Sequence, residues 1–243
     1  MIAVVENSLQ TVHLSVTSDC RRHCPMCHDR TVIPAHMAFD TALQLGRDAK
    51  ALGIQTLAIG GGEPGWWPPI NRFVEEAECG TIPKLAITTT MPQAFADRDN
   101  VELHVSWDED HELGSYGYLE ALVGIEITLK HKRTVGLNHV VTTREWLNKA
   151  LKLPVRMILL LGRKPEVWNV PVWAIGAAKA ARKIVLVDSC SMPPCKQVLW
   201  SLHIRWDGTV AQCSHVQVGR RPFEGLQSAW ENRKPGVCPK ERL

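Results

Sequence analysis

The order of apolar and polar positions along the chain predicts short strands that alternate with helices over its first three quarters. Thr11–Ser18 alternates apolar and polar residues and carries β-branched threonine and valine, which is typical of a strand. Asp40 can cap a helix that runs to about Leu52, and Gly53 ends it. Further strands are predicted at 56–59, 84–89, 101–107, 124–129, 137–141, 156–161 and 183–187, and further helices at 69–78, 117–122, 143–151 and 170–181.

This alternation predicts an α/β fold. A strand followed by a helix and then another strand forms a parallel β/α unit. About six such units form an open, partial TIM barrel of the (β/α)6 type, which is smaller than the closed eightfold barrel.

The pattern changes after Asp188. The run Ser191-Met192-Pro193-Pro194 breaks any regular element, and two β-rich runs at 198–206 and 209–212 then flank Asp207-Gly208. Two such runs around an Asp-Gly pair predict a hairpin. A short helix is predicted at 226–232. We therefore expect two domains, a partial barrel at 1–188 and a small hairpin-plus-helix domain at 189–243.

Composition excludes few classes of protein, but it indicates the cellular compartment that we expect. The 243 residues are 45% hydrophobic and carry a net charge of +3, without the concentrated basic stripe that a nucleic-acid partner favours. Short basic pairs such as Arg21–Arg22 are expected to be solvated surface. The longest apolar run, Met157–Leu161, is too short to cross a bilayer, and the first ten residues lack the basic flank of a signal peptide. We expect a cytoplasmic protein with no membrane partner.

The eight cysteines are grouped, which indicates ligands. Cytosolic thiols stay reduced, so clustered cysteines there bind metals or take part in catalysis. Cys79 stands alone on a predicted helix, where we expect a small buried apolar side chain. The others form two groups, Cys20, Cys24 and Cys27, and Cys190, Cys195, Cys213 and Cys238.

The first group supplies three thiolates within eight residues, on a loop after the first strand. Thiolates are the usual ligands of a [4Fe–4S] cluster, and three of them leave one iron open for another ligand. The alternatives are a zinc knuckle that takes His23 or His28 as its fourth ligand, and chance clustering of the three cysteines.

The run Cys20-Arg-Arg-His-Cys24-Pro-Met-Cys27 resembles the cluster loop of the radical S-adenosylmethionine (SAM) superfamily. Met26 stands where that family often has an aromatic residue. The resemblance implies that SAM chelates the fourth iron through its amino and carboxylate groups. It also implies that an electron from a donor such as flavodoxin or ferredoxin cleaves SAM to a 5′-deoxyadenosyl radical.

A glycine loop, Gly61-Gly62-Glu63-Pro64, follows the second strand and resembles the motif that holds the SAM methionyl amine in this superfamily. Glycines let the backbone approach a ligand, carbonyls can accept from an ammonium, and Glu63 adds negative charge. Strand-end position and the resemblance add Thr89, Ser106 and Asn138 as SAM contacts, with Thr88, Thr90 and Asp108 as further candidates. The adjacent Trp66 and Trp67 line the mouth of the site or pack in the core.

The second group resembles the auxiliary-cluster extension called Twitch, a shorter relative of the SPASM domain. The resemblance lies in Cys195-x12-Gly208-x4-Cys213 and in the helix before Cys238. It implies a second [4Fe–4S] cluster on Cys195, Cys213 and Cys238. Cys190 is our choice of fourth ligand, with His215 or an open iron as alternatives. A zinc site or metal-free thiols are the competing interpretations.

The resemblance implies an oxidoreductase-type radical SAM enzyme. Its radical abstracts hydrogen from a small-molecule or peptide substrate, in oxidation or in peptide modification, and the auxiliary cluster assists. A glycyl-radical-enzyme activase and an RNA- or nucleoside-modifying enzyme are the alternatives within the superfamily. A non-catalytic iron–sulfur electron carrier is the alternative outside it, and it has no need of the glycine loop.

Overall fold

The computed structural model describes residues 9–25, 27, 33–132, 135–162, 169–188, 201–211 and 221–232. Within these residues there are ten strands and seven α-helices. The strands are β1 (Thr11–Thr17), β2 (Thr56–Gly61), β3 (Lys84–Thr89), β4 (Val101–Ser106), β5 (Gly136–Val140), β6 (Met157–Leu161), β7 (Ile184–Val187), β8 (Ser201–Arg205), β9 (Thr209–Ala211) and β10 (Arg221–Pro222). The helices are α1 (Phe39–Ala51), α2 (Ile70–Glu78), α3 (Glu109–Leu113), α4 (Tyr118–Leu129), α5 (Arg144–Leu151), α6 (Val172–Ala180) and α7 (Leu226–Glu231).

The chain forms two compact units. In the described part, the first unit contains the residues up to Asp19, those from 33 to Ala86 and those from 201 onward. The second contains the described residues from Cys20 to Cys27 and from Ile87 to 188. The boundary between them falls inside β3. The predicted division of the chain at residue 188 stays a prediction.

The first unit has the strand order β10-β9-β8-β1-β2. β1 is parallel to both of its neighbours, with Leu14 opposite Ile59 of β2 and Ile204 of β8. The apolar residues of β1 at 12, 14 and 16 are buried on one face, and Ser15 and Thr17 are buried on the other, as expected of a strand in the middle of its sheet. β9 is antiparallel to β8, so the predicted C-terminal hairpin is present.

The second unit has the strand order β4-β5-β6-β7, and every pair is parallel. Helices α4, α5 and α6 pack on one face of this sheet. Their shared core includes Val105, Leu137, Ile158, Leu160, Ala121, Ile125, Leu147 and Ala174. The predicted class, α/β with parallel β/α units and a C-terminal hairpin plus helix, is confirmed.

One predicted strand is wrong. Residues 124–129 were expected to be extended, but they form the second half of α4. The buried positions of α4 recur at Ala121, Gly124, Ile125 and Thr128, which is helical spacing. The Thr128 hydroxyl donates to the Gly124 carbonyl at 2.7 Å, within one helical turn. Burial of this face outweighs the weak β preference of the isoleucines and threonine.

Candidate functional site

The loop that carries the first three cysteines leaves the end of β1, and the chain returns beside that same end. The Ser18 amide donates to the Ala35 carbonyl at 2.8 Å, and the Ala35 amide donates to the Ser18 hydroxyl at 2.8 Å. Thr17 adds a bond of 2.8 Å between its hydroxyl and Nδ1 of His36. Both ends of the cysteine loop are therefore fixed next to one another in the first unit.

The cysteines themselves lie in the second unit, where Cys24 packs on the turn between α3 and α4. Cys24 is 8% exposed, whereas Cys20 and Cys27 are half-buried. The Cys27 amide donates to the Cys24 carbonyl at 3.1 Å, and the His23 amide donates to the Gly114 carbonyl at 3.1 Å. A methyl group on Gly114 would lie 2.7 Å from the Cys24 sulfur, so this position has no room for a side chain.

Arg22 holds the same turn from the other side. Its guanidinium donates to the Ser115 carbonyl at 2.6 Å, forms a two-pronged ion pair with Glu120, and lies over the Tyr116 ring at 4.7 Å. A planar guanidinium suits such a fork and such stacking. The expectation that the pair Arg21–Arg22 is only surface charge is therefore wrong for Arg22, which positions this turn.

The three thiols fit the donor set of an iron–sulfur cluster. None is in a disulfide, and their charges act on one another. Burial raises the pKa of the Cys24 thiol to about 12, with further contributions from Cys27, Cys20 and Asp108. A metal would remove this cost because it binds the thiolate. Within the described residues no three histidine, cysteine or acidic side chains converge as they would on one ion, but each cysteine of a four-iron cluster can bind its own iron.

The glycine loop packs on the end of β1. The Gly62 amide donates to the Thr17 carbonyl at 2.6 Å, and the Glu63 amide donates to the Asp19 carbonyl at 2.7 Å. A methyl group on Gly61 would lie 2.4 Å from the Thr17 oxygen, and one on Gly62 would lie 2.3 Å from the Asp19 oxygen. The glycines thus allow contact with the residues that lead into the cysteine loop, a role that the sequence did not indicate.

Glu63 is 2% exposed, and its side chain caps the turn that follows the glycine loop. Its carboxylate accepts from the Gly65 amide at 3.1 Å, at the start of the 3-10 turn Pro64–Trp66. Trp67 is fully buried, donates to the Met37 carbonyl at 2.8 Å and packs edge-on against Phe73. Of the two expectations for Trp67, core packing is correct.

A polar group crosses three strands of the second unit. Asn138 donates to the Thr88 hydroxyl at 3.2 Å, and its Oδ1 lies 3.2 Å from Nδ1 of His104. Ser106 is the register partner of Asn138 on β4. Ser106 and Asn138, both predicted as SAM contacts, are therefore neighbours, while His104 was not anticipated. The alternation of side chains along β4 places His104 on the same face as Ser106, and this was the sequence signal that could have identified it.

Thr89, also predicted as a SAM contact, differs from Thr88. It is buried, and its hydroxyl accepts from the Met91 amide at 2.8 Å. Successive residues of a strand point to opposite faces, so Thr88 and Thr89 do not share one. The structure brings Thr88, and not Thr89, to Asn138.

A buried acid lies at the carboxyl end of β4. Asp108 caps α3 by accepting from the His111 amide at 3.1 Å, and it also accepts from Nδ1 of His111 at 2.8 Å. Burial opposes the charged form, but His111 and His139 hold the pKa of Asp108 below its usual value. His139 is itself buried, which lowers its pKa, and its Nδ1 bonds to the Trp107 carbonyl at 2.9 Å.

The predicted auxiliary-cluster ligands lie outside the described residues. They are Cys190, Cys195, Cys213 and Cys238, together with the alternative ligand His215. The turn between β8 and β9 is described, with Gly208 at a φ of +74° and the Thr209 amide bonded to the Asp207 carboxylate at 3.0 Å. Cys79 was expected to be buried, but it caps the end of α2 and is exposed.

None of the helices in the described part of the chain has both the length and the apolar character that spanning a membrane requires.

Comparisons with solved structures identify the fold. No family model matches the sequence, and no curated protein matches it. SuiB of Streptococcus suis bound to its precursor peptide SuiA superimposes with a TM-score of 0.70 at 13% identity, over 92% of this chain and 65% of SuiB. SuiB bound to S-adenosylmethionine superimposes with a TM-score of 0.65 at 13% identity, over 93% of this chain and 64% of SuiB. The anSMEcpe protein with bound AdoMet and a Kp18Cys peptide superimposes with a TM-score of 0.65 at 12% identity, over 91% of this chain and 80% of anSMEcpe.

This chain has the fold of these neighbours, and SuiB and anSMEcpe were each solved with bound S-adenosylmethionine. It spans slightly less than two thirds of the length of SuiB. The partial-barrel class that the sequence predicted is confirmed by this likeness.

Proposed function

We propose that this chain is a radical SAM enzyme that cleaves SAM reductively and abstracts hydrogen from a peptide or small-molecule substrate. The observation that carries the proposal is the cysteine loop. Three unbridged thiols lie on one loop that is fixed at both ends, in a chain with the radical SAM fold. The sequence order of the loop and the glycine motif supports the same conclusion.

Cys20, Cys24 and Cys27 would hold a [4Fe–4S] cluster. Such a cluster would pass an electron from a donor such as flavodoxin or ferredoxin to SAM, whose carbon–sulfur bond would then break into methionine and the 5′-deoxyadenosyl radical. The protein's own part is positioning. Arg22 and Gly114 hold the loop against the turn between α3 and α4, and burial of Cys24 keeps water from that side of the site.

The glycine loop would bind the methionyl amine of SAM. The amides of Gly62 and Glu63 are already used by the β1 end, so the carbonyls of Gly61 and Gly62 are the groups suited to an ammonium. Pro64 fixes the turn that follows. Ser106 and Asn138 present hydroxyl and amide groups suited to ribose or carboxylate, and Thr88 takes part through Asn138. Thr89 remains a predicted contact.

A second [4Fe–4S] cluster on Cys195, Cys213 and Cys238, with Cys190 as the fourth ligand, would accept an electron or bind substrate. The support for it is local. The hairpin β8–β9 and helix α7 are the elements that the Twitch resemblance implies between these cysteines.

The structural neighbours favour a peptide as the substrate. SuiB was solved with a bound precursor peptide, and anSMEcpe was solved with a bound Kp18Cys peptide. We therefore place a peptide ahead of a small molecule for this chain.

The proposal is tested by anaerobic reconstitution with iron and sulfide, followed by incubation with SAM and dithionite. Wild type should carry about eight irons and form 5′-deoxyadenosine, whereas the Cys20/Cys24/Cys27→Ala variant should keep about four and form none. An Asn138→Leu variant with full iron should bind SAM about tenfold more weakly by equilibrium dialysis, a loss of one bonded polar contact.

Two results would change the proposal. A wild type with about four irons, all lost in the triple variant, would remove the auxiliary cluster. A fully loaded protein that forms no 5′-deoxyadenosine would contradict radical SAM activity and favour an electron carrier.

A further inference from the structure

The two faces of strands β6 and β7 are used differently. Ile158 and Leu160 of β6 belong to the core beneath the helices, and Val185 and Val187 of β7 pack against that core. The alternate residues lie on the other face of the sheet. We call that set the open face, and it consists of Met157, Leu159, Leu161, Ile184 and Leu186.

The open face is apolar, with Ile184 and Leu186 exposed and Met157, Leu159 and Leu161 half-buried. Ile184 is 54% and Leu186 is 43% exposed, although each belongs to a strand of four apolar residues. Register places Met157 beside Ile184 and Leu159 beside Leu186, so the side chains form one continuous surface. Contiguous exposed apolar surface of this kind often marks a binding site.

The backbone at the same place offers hydrogen bonds. β7 is the terminal strand of the described sheet order. The amides of Ile184 and Asp188 bond to carbonyls of the β6 side, at 2.7 Å and 3.0 Å. In a parallel pair the intervening residues, Val185 and Val187, direct their amides the other way. The strand contains no proline or charge, the usual devices that protect an edge from another strand.

The ends of this surface differ in chemistry. Three exposed basic residues, Arg156, Lys179 and Arg182, precede or flank the amino ends of β6 and β7. Across the sheet, Asn138 of the polar group is the register partner of Leu159, which in turn pairs with Leu186. The surface therefore runs from a basic end toward the carboxyl ends of the strands, where β/α folds place their chemistry.

We propose that the edge of β7 and the open face bind an extended peptide segment of the substrate by β-strand addition. Backbone amides and carbonyls of the segment pair with Val185 and Val187, and its alternate apolar side chains lie on Ile184 and Leu186. An acidic residue at one end of the segment lies at the amino end of β7, near Arg182. This inference rests on the proposed function, and it narrows the substrate class to a peptide with alternating apolar residues and an acidic flank.

The test uses fluorescein-labelled ten-residue peptides and fluorescence anisotropy, without SAM. The probe has two aspartates followed by leucines that alternate with serine and threonine. One comparison peptide has the same composition with leucines at helical spacing, and another is the probe N-methylated at alternate amides. The protein variants are Leu186→Lys and Ile184→Lys, with Val172→Lys as control because Val172 is 84% exposed on α6.

The probe should bind at least about tenfold more tightly than either comparison peptide, and both β7 variants should weaken it by a similar factor while the control does not. Equal binding of the helical-order peptide, or binding unchanged in both β7 variants, would overturn the proposal. So would a wild-type dimer by sedimentation that Leu186→Lys dissociates, since a second copy would then occupy the edge. Thermal unfolding of each variant excludes misfolding as the cause.

The 5′-deoxyadenosine assay separates this inference from the proposed function. Peptide binding without 5′-deoxyadenosine would leave the strand-addition site intact and reject the radical activity. The opposite result would keep the radical activity and reject the site.

Discussion

Gly114 lies directly against Cys24. A methyl group at Gly114 would be 2.6 Å from the Cys24 nitrogen and 2.7 Å from its sulfur, distances that real side chains do not adopt. The three nearest atoms all belong to Cys24, two to its backbone and one to its buried side chain, in a loop that is fixed at both ends. The fit between this turn and the cysteine loop is therefore a condition for placing the middle thiol.

The first prediction is that Gly114→Ala impairs cluster loading. Overpacking should lower the free energy of unfolding by about 1–3 kcal/mol and displace Cys24. Iron per chain after reconstitution should fall well below that of wild type, and urea unfolding of the metal-free protein gives the stability.

Gly117→Ala is the matched control. Gly117 is three residues along the same turn, and no atom lies within 4 Å of where its methyl group would stand. Full iron content in Gly114→Ala, or an equal loss in Gly117→Ala, would show that the contact with Cys24 does not matter.

The second prediction concerns the glycine loop. Gly62→Ala should destabilise the protein by about 1–3 kcal/mol, because the new methyl group meets the Asp19 carbonyl. Gly61→Ala should cost at least as much, since its φ of +108° adds backbone strain to the clash with Thr17. Denaturant unfolding of the metal-free proteins measures both.

Gly60→Ala provides the comparison, because the space around Gly60 is open. It should change the free energy of unfolding by less than about 1 kcal/mol. If all three variants unfolded alike, the glycines would be explained by backbone freedom and not by contact with the end of β1.

Much of the fold could be predicted because strand and helix periods are local properties. β3 was predicted with its observed bounds, and β1, α1 and α5 differ from prediction by about one residue at an end. The strand predicted at 124–129 failed because its isoleucines suit either structure. Long-range packing decides for the helix, through Ile125 in the core of the second unit and through Gly124 beside Pro92 and Gln93.

The site was predicted less completely than the fold. The spacing of cysteines is a local property, so Cys20, Cys24 and Cys27 could be proposed as ligands from the sequence. Strand-end position led to Ser106 as a predicted contact, and the resemblance led to Asn138. The partners of those residues depend on which strands are neighbours. Arg22 with Glu120, and His104 with Asn138, join residues 98 and 34 positions apart, which no local pattern reveals.

The third prediction is a pH dependence that comes from Asp108. Its folded pKa is below its ordinary value, so its ionised form stabilises the protein above the unfolded pKa of about 3.9. That contribution is lost as pH falls through the folded pKa. Asp108→Asn should therefore destabilise the protein by about 1–3 kcal/mol at pH 6, and the difference from wild type should shrink below about pH 4.

Urea unfolding of wild type and Asp108→Asn at pH 6 and pH 3.5 measures this. His111→Gln serves as the comparison, because it removes the side-chain partner at 2.8 Å and leaves the carboxylate in place. A difference between wild type and Asp108→Asn that stays constant over this pH range would rule out a stabilising carboxylate at position 108.

The last prediction uses the reactivity of Cys24 in the metal-free protein. Burial and the nearby groups Cys27, Cys20 and Asp108 raise its pKa from 9.0 to about 12. Only the thiolate attacks iodoacetamide, so at pH 8 Cys24 should react about a thousandfold more slowly than a thiol of ordinary pKa. Mass-spectrometric mapping over time gives the rate at each cysteine, and exposed Cys79 is the internal reference.

Two further conditions separate burial from ligand bonding as the cause of slow labelling. Unfolding in urea should abolish the difference between Cys24 and Cys79, because it returns Cys24 to water. After reconstitution Cys20 and Cys27 should also become unreactive while Cys79 stays reactive, because a bond to iron then protects them. If Cys24 and Cys79 reacted at similar rates in the folded, metal-free protein, the close packing of this loop on Gly114 would be wrong.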